Sequence, residues 1–322
     1  MTSAVAESKP GAKPNLEVFS AALQDLAAAD KDIIVVTSDS RGSGKLAPFA
    51  NKYPQQIVEI GIAEQNLVGV AAGLASAGKK TFAVSPACFL SARALEQIKN
   101  DVAYSDNPVK LIGISAGVSY GALGSTHHSL HDFAALRAIN NLIVAAPADN
   151  YETDQAIRQA ADIRHPIYLR FGKKNMPLLT DDPNNTFMFG KGRIITKGQA
   201  LAFIATGETV YPAMLAAQEL KSVHGIEVSV ISMHTIKPLD TILLKMIAGE
   251  TAAIITVEEH SIYGGLGEAC ASWLLQHRYH KPFRIVGIPD EYTVTGSQME
   301  IFNHYGISKE GLTTIALDLL AK

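Results

Sequence analysis

EIGIAEQNLVGVAAGLASAG (Glu59 to Gly78) joins two periodicities. The β-branched run QIVEIG (56–61) reads as a strand, and Glu64 to Ala77 as a helix built almost wholly of small and apolar residues. A strand running directly into a helix is the repeating unit of an α/β fold. Gly69, Ala71, Ala72, Gly73 and Ala75 let another backbone come close, so this helix is expected to pack against a second subunit or domain. One carboxylate, Glu64, sits in its first turn. Helix-initial acids ordinarily serve the helix's positive end, worth about 0.3–1 kcal/mol. Here the neighbours are Ile62, Ala63, Leu67, Val70 and Leu74. A carboxylic acid sheltered among them is suited to hydrogen-bonding a heteroaromatic nitrogen.

Working outward, further apolar runs read as strands: 32–38, 80–85, 109–115, 142–147 and 166–171. Helical stretches at 16–29, 90–105 and 150–163 lie between them. Such alternation predicts a mostly parallel sheet covered on both faces. A segment rich in Pro, Asn and Asp (173–192) lacks periodicity and reads as a linker. Beyond it, strands at 200–206, 225–232, 252–259 and 283–288 alternate with helices again. The expectation is therefore α/β, two consecutive domains, each a mostly parallel sheet covered by helices. The boundaries are a flexible tail (1–13), a first domain (14–180), a linker (181–193) and a second domain (194–322).

At 322 residues there is enough chain for two cores. A net charge of −3 gives no reason to expect nucleic acid or an anionic membrane as partner. Cys88 and Cys270 are far apart and outside any CxxC spacing, which fits a reducing compartment rather than a disulfide framework. No apolar run approaches membrane length, and the first residues lack the apolar core of a signal peptide, so a cytoplasmic location is expected.

GIAEQN (61–66) resembles the glutamate motif of the pyrimidine-binding domain in thiamine-diphosphate enzymes, especially the transketolase and deoxyxylulose-phosphate synthase group. The likeness runs on through SPACFLSARALEQIKNDVAY (85–104), GVSYGALGSTHHSLHDFAALRAINNLIVAAPAD (117–149) and IYLRFGK (167–173), then TGETVYPAMLAAQEL (206–220) and VEEHSIYGGLGEA (257–269). It implies a pyrimidine-binding domain followed by a transketolase C-terminal-like domain. It also implies that Glu64 is the acid that sets the tautomer of the coenzyme's aminopyrimidine ring. Phe89 would stack on that ring, and Asp39 would stand near it. His127 would hydrogen-bond the sugar and assist proton transfer, a task suited to a group that titrates near neutrality. His128 would be either a second substrate contact or a cap on the loop, while Arg170 and Ser43 would meet a sugar phosphate. His127, His128 and His131 also admit a zinc reading, but HExxH spacing is missing. No metal ligand is assigned to this chain.

The family's GDG motif, which with a later asparagine holds the diphosphate and Mg²⁺, does not occur in this sequence. The resemblance thus implies a separate N-terminal, diphosphate-binding transketolase subunit as partner, in an α2β2 heterotetramer with thiamine diphosphate and Mg²⁺. Several family positions depart: Leu123 replaces a substrate-reading aspartate, Ser115 a second substrate histidine and Asn15 a phosphate arginine. Three readings follow. The first is transfer of a two-carbon ketol unit from a ketose to an aldose. The second is a decarboxylating thiamine enzyme, of the synthase type or the beta chain of a 2-oxoacid dehydrogenase. The third is a non-catalytic assembly subunit. The cluster Glu258, Glu259, His260 and Tyr263 is expected to be structural.

Overall fold

The computed structural model describes residues 12–180 and 182–321. Among the described residues the strands, numbered in chain order, are β1 (Lys13–Pro14), β2 (Ile33–Thr37), β3 (Ile57–Glu59), β4 (Lys80–Pro86), β5 (Lys110–Ile114), β6 (Ile143–Ala145), β7 (Ile167–Phe171), β8 (Asn175–Met176), β9 (Arg193–Thr196), β10 (Leu201–Ala205), β11 (Val228–Ser232), β12 (Thr235–Lys237), β13 (Ala253–Ser261) and β14 (Phe283–Ile288). The first sheet has the order β12-β6-β7-β5-β4-β2-β3, the second β14-β13-β10-β11-β9. Within each, all pairings are parallel except one edge strand, β12 in the first and β9 in the second. Both sheets are thus of the mostly parallel, helix-covered kind.

Period-two alternation builds both cores of the first sheet. Ile34 and Val36 of β2 face the helices Glu64–Ser76 and Ala87–Arg93. Ile33 and Val35 face Asn15–Ala29 and Asn150–Asp162. The second sheet divides likewise, Phe203 and Ala205 on one side and Ala202 and Ile204 on the other.

Four details differ from the sequence reading. Residues 1–11 of the expected flexible tail lie outside the described residues, but Lys13 and Pro14 pair with Met176 and Asn175 in a small two-stranded sheet. The expected helix at 90–105 is interrupted: an α-helix ends at Arg93, a break at Ala94 separates it from a short helical segment at Leu95–Gln97, and Ile98–Tyr104 is a π-helix. Two edge strands, β9 and β12, have no counterpart among the expected elements. Lastly, β12 comes from the second half of the chain yet completes the first sheet against β6, so the halves share a sheet edge. Among the described residues no helix is long and apolar enough to cross a membrane.

The helix Glu64–Ser76 buries Leu67, Val68, Ala71, Ala72 and Ala75 against its own sheet. Its other side carries Gly69 and Gly73, where an added Cβ would meet nothing within 4 Å. The small-residue face is therefore open on this chain, as is Ile62 just before it, 72% exposed.

Candidate active site

In open parallel sheets, ligands sit beyond the carboxyl ends of the strands. Glu64 follows β3, Phe89 follows β4, and the loop carrying His127 follows β5, so all three arise at that edge. Glu64 opens its helix with the carboxylate 3% exposed. It is not the lone acid the sequence suggests. Arg93 Nη1 donates to both of its oxygens, each at 3.1 Å. The Arg93 guanidinium also lies 4.3 Å from the centre of the Phe89 ring. Phe89 and Arg93 are four apart on one helix, which places them on the same side. A basic residue in a last helical turn complements the exposed carbonyls there. Ile62, Ala63, Glu64, Gln65 and Arg93 surround a shallow open depression.

His127 meets Phe89 edge-on, with ring centres 5.4 Å apart, and meets Tyr120 in the same way at 5.4 Å. The Thr126 hydroxyl occupies His127 Nδ1 at 3.0 Å, which leaves Nε2 for a substrate. Lys173 Nζ lies 3.9 Å from the centre of the Tyr120 ring. Burial pushes the Tyr120 phenol up, the neighbouring Ser115 hydroxyl pulls it back in part, and the Asp39 carboxylate adds a smaller upward push. The structure thus brings together Glu64, Phe89 and His127, and adds Arg93, Tyr120 and Lys173, to which the sequence reading gives no role.

Just before this loop, Ser115 is fully buried in the left-handed region, φ 54°. Its hydroxyl has no close hydrogen-bond partner among the described residues and lies toward the Tyr120 phenol. Side chains are held in that conformation at a cost of about 1–3 kcal/mol, and such strain gathers at functional sites.

The other expected residues lie differently. Asp39 and Ser43 occupy the exposed loop after β2, where the Ser43 hydroxyl donates to the Ser40 carbonyl at 3.2 Å as a turn contact. His128 is buried with both nitrogens engaged, Nδ1 with the Thr293 hydroxyl at 2.6 Å and Nε2 with the Gly121 carbonyl at 3.0 Å. Burial pushes its pKa down. It ties the histidine loop to the second half of the chain, and neither nitrogen is left for a sugar.

Arg170 departs furthest. It donates to Asp132 at 2.8 Å and to the Glu259 carbonyl at 2.7 Å, and its side chain is 6% exposed. Tyr168 donates to the second Asp132 oxygen at 2.7 Å. The Glu259 carboxylate in turn accepts from Val118 N–H at 2.9 Å and Gln298 at 2.7 Å. The other hydrogen of that amide reaches Glu208 at 2.9 Å. Gly117 and Gly172 lie flush against these acids; a Cβ on either would collide with Glu259 or Glu208. Glu258 accepts from the N–H groups of Leu266 and Gly267 at 2.7 and 2.8 Å, capping the helix Leu266–Gln276. His260 stacks on Phe133 with ring centres 5.1 Å apart. Arg170 and the Glu258–His260 run are therefore parts of a buried joint between the two halves, while Tyr263 is exposed. Among the described residues no three His, Cys, Asp or Glu side chains converge as a metal site would require.

The chain matches two family models in succession: the transketolase pyrimidine-binding domain over residues 14–177 and the transketolase C-terminal domain over 190–312. It is 47% identical to an apulose-4-phosphate transketolase subunit of Phocaeicola vulgatus, across 94% of this chain and 96% of that one. It is 36% identical to a 1-deoxy-D-xylulose-5-phosphate synthase of Geobacter metallireducens, across 97% of this chain but 50% of the synthase. A solved structure described as a split gene transketolase, inactive beta4 tetramer, superposes with a TM-score of 0.84 at 33% identity, covering 97% of this chain and 99% of that one. The acid at the strand edge, the aromatic beside it and the histidine loop thus sit in a chain that belongs to the transketolase family.

Proposed function

We propose that this chain is the pyrimidine-binding subunit of a two-chain transketolase. It moves a two-carbon ketol unit from a phosphorylated ketose to an aldose, with thiamine diphosphate held between it and a separate diphosphate-binding subunit. Four chains, two of each kind, are the expected assembly. The observation that carries this reading is the convergence of a buried carboxylate, an aromatic face and a free imidazole nitrogen at one strand edge. The residues fit the coenzyme: Glu64 offers an acceptor or a proton to a ring nitrogen, and Phe89 a flat apolar face. When bound, thiamine diphosphate supplies the carbon nucleophile that takes up the two-carbon unit. Its diphosphate and Mg²⁺ are assigned to the partner chain.

Within this chain, Glu64 holds the proton at the ring nitrogen from its buried place in the first turn of its helix. His127 Nε2 is placed to hydrogen-bond the sugar hydroxyls and to move a proton between them and solvent. Lys173 takes the part that the sequence assigns to Arg170: it rests on the Tyr120 ring, which itself meets His127, and although partial burial pushes its pKa down it meets the sugar phosphate as a cation. Ser115 brings a spare hydroxyl under the same loop, while Asp39 stands at its rim. The 47% identical relative makes apulose 4-phosphate the first donor to try. A synthase reading is less well supported, because the chain spans half of the synthase it resembles.

The test is co-purification of this chain with the diphosphate-binding subunit, followed by ketol transfer from apulose 4-phosphate with thiamine diphosphate and Mg²⁺ present. Transfer by the pair and none by the single chain is expected. Full activity of the single chain would overturn the two-chain reading. A pair whose rate is untouched by Glu64→Gln would make this chain an assembly subunit instead.

A further inference from the structure

Arg93 makes two contacts at once. Its planar guanidinium covers the Phe89 ring at 4.3 Å, and its Nη1 donates to both oxygens of Glu64 at 3.1 Å. A flat, nitrogen-bearing ring seated here needs the same two things, an aromatic face to lie on and the Glu64 carboxyl to bond. The guanidinium and such a ring compete for one carboxylate and one aromatic face. We propose that Arg93 is an internal stand-in for the coenzyme's pyrimidine ring, a side chain that fills the ring's place on this chain and must leave it for the coenzyme to enter. The inference rests on the function proposed above.

Local geometry makes the exchange feasible. Arg93 is the last residue of its helix, and Ala94 interrupts the helical path before it resumes at Leu95. The side chain is 48% exposed and can swing into water, where a guanidinium is well solvated. Glu64 is 3% exposed and cannot follow it. A buried carboxylate left without a partner is costly, so the stand-in keeps Glu64 satisfied until a ring supplies the replacement bond. The coenzyme thus binds with its intrinsic affinity reduced by the work of displacing Arg93, in the way any ligand is weakened when its competent state is the minor one.

The experiment is calorimetric titration of thiamine diphosphate, with Mg²⁺ in excess, into the co-purified two-chain complex. Arg93→Met, which keeps much of the stem volume but not the fork, is expected to tighten binding at least fivefold. Arg93→Lys retains the charge without the plane and should fall between. In a Glu64→Gln background, where the charge of the pairing is gone and the contact over Phe89 remains, Arg93→Met is expected to tighten binding by less than it does in the parent. Unchanged or weaker binding in both Arg93 variants, with the wild-type complex binding normally, overturns the stand-in and makes Arg93 a supporting residue. No binding by any version overturns the transketolase reading, and the stand-in falls with it.

Discussion

Glu64–Arg93 and Asp132–Arg170 are both arginine–carboxylate pairs, at 3.1 and 2.8 Å, and both follow from strands of one sheet. Their surroundings give them opposite characters. In the first pair the acid is buried and the arginine half in water. In the second both partners are buried, and every contact is doubled by Tyr168 or by the Glu259 carbonyl. A pair with one end in solvent can exchange its partner at small cost. A pair closed on both ends holds two parts of a fold in register and resists any change. The molecule thus keeps an adjustable site at the strand edge and a fixed joint behind it.

Removing the acid of the adjustable pair is expected to have the largest effect. Glu64→Ala in the two-chain complex should lower ketol transfer by about 10²–10⁴-fold, the range for losing a positioned proton-handling group. Its circular dichroism spectrum should stay that of the parent. A loss of activity accompanied by unfolding would erase the distinction between the two pairs.

Breaking the fixed pair should do the reverse. Arg170→Met leaves Asp132 buried with Tyr168 as its remaining side-chain donor, and is expected to cost about 3–5 kcal/mol of stability. The urea midpoint would report it. A variant as stable as the parent but unable to use phosphorylated donors would restore Arg170 to the substrate site.

The uneven legibility of these residues has a physical basis. Glu64, Phe89 and His127 each sit just past a strand, inside a short motif whose order along the chain mirrors their order along the sheet edge. That much is local. What lies opposite a side chain is not, and errors collect there. Arg170 reads as an outlying strand-end cation until β13 closes over it from the second half of the chain. Lys173, three residues on where the chain has left the sheet, is the cation that rests on the Tyr120 ring instead. His128 is one residue from His127 but faces Thr293, more than 160 positions away in sequence. Strands β9 and β12 are too short, at four and three residues, to produce a readable alternation. Arg93 stands inside a segment that carries the family likeness, yet nothing in that segment shows that its partner lies 29 residues earlier.

A smaller effect separates Lys173 from Arg170. Lys173→Met should raise KM for a phosphorylated donor about tenfold, the lower range for one charge-assisted hydrogen bond, with kcat within about twofold. An unphosphorylated ketose should show no change. Equal losses with both donors would remove Lys173 from phosphate recognition.

The subtlest expected change lies in the fixed joint, and it appears only as a dependence on pH. Burial first, and then the neighbouring Glu208 carboxylate, push Glu259 up to about 7 from an ordinary value near 4.5. Glu208 is itself pushed up by burial. The folded chain thus holds the Glu259 proton more tightly than the unfolded chain does. The stability this contributes is complete below about pH 4.5 and is lost as pH rises through 7. Glu259→Gln keeps a carbonyl to accept from Val118 and Gln298 but has no proton to lose. The difference in Tm, variant minus parent, should therefore climb between pH 5 and about 7.5 and then level off. Arg170 and His260 pack against the same residue, but both remain in the variant, so their own titrations largely cancel from the difference. A difference that shrinks over this range would mean that Arg170 stabilises an ionised Glu259. The joint would then resemble the Glu64–Arg93 pair more closely than its burial implies.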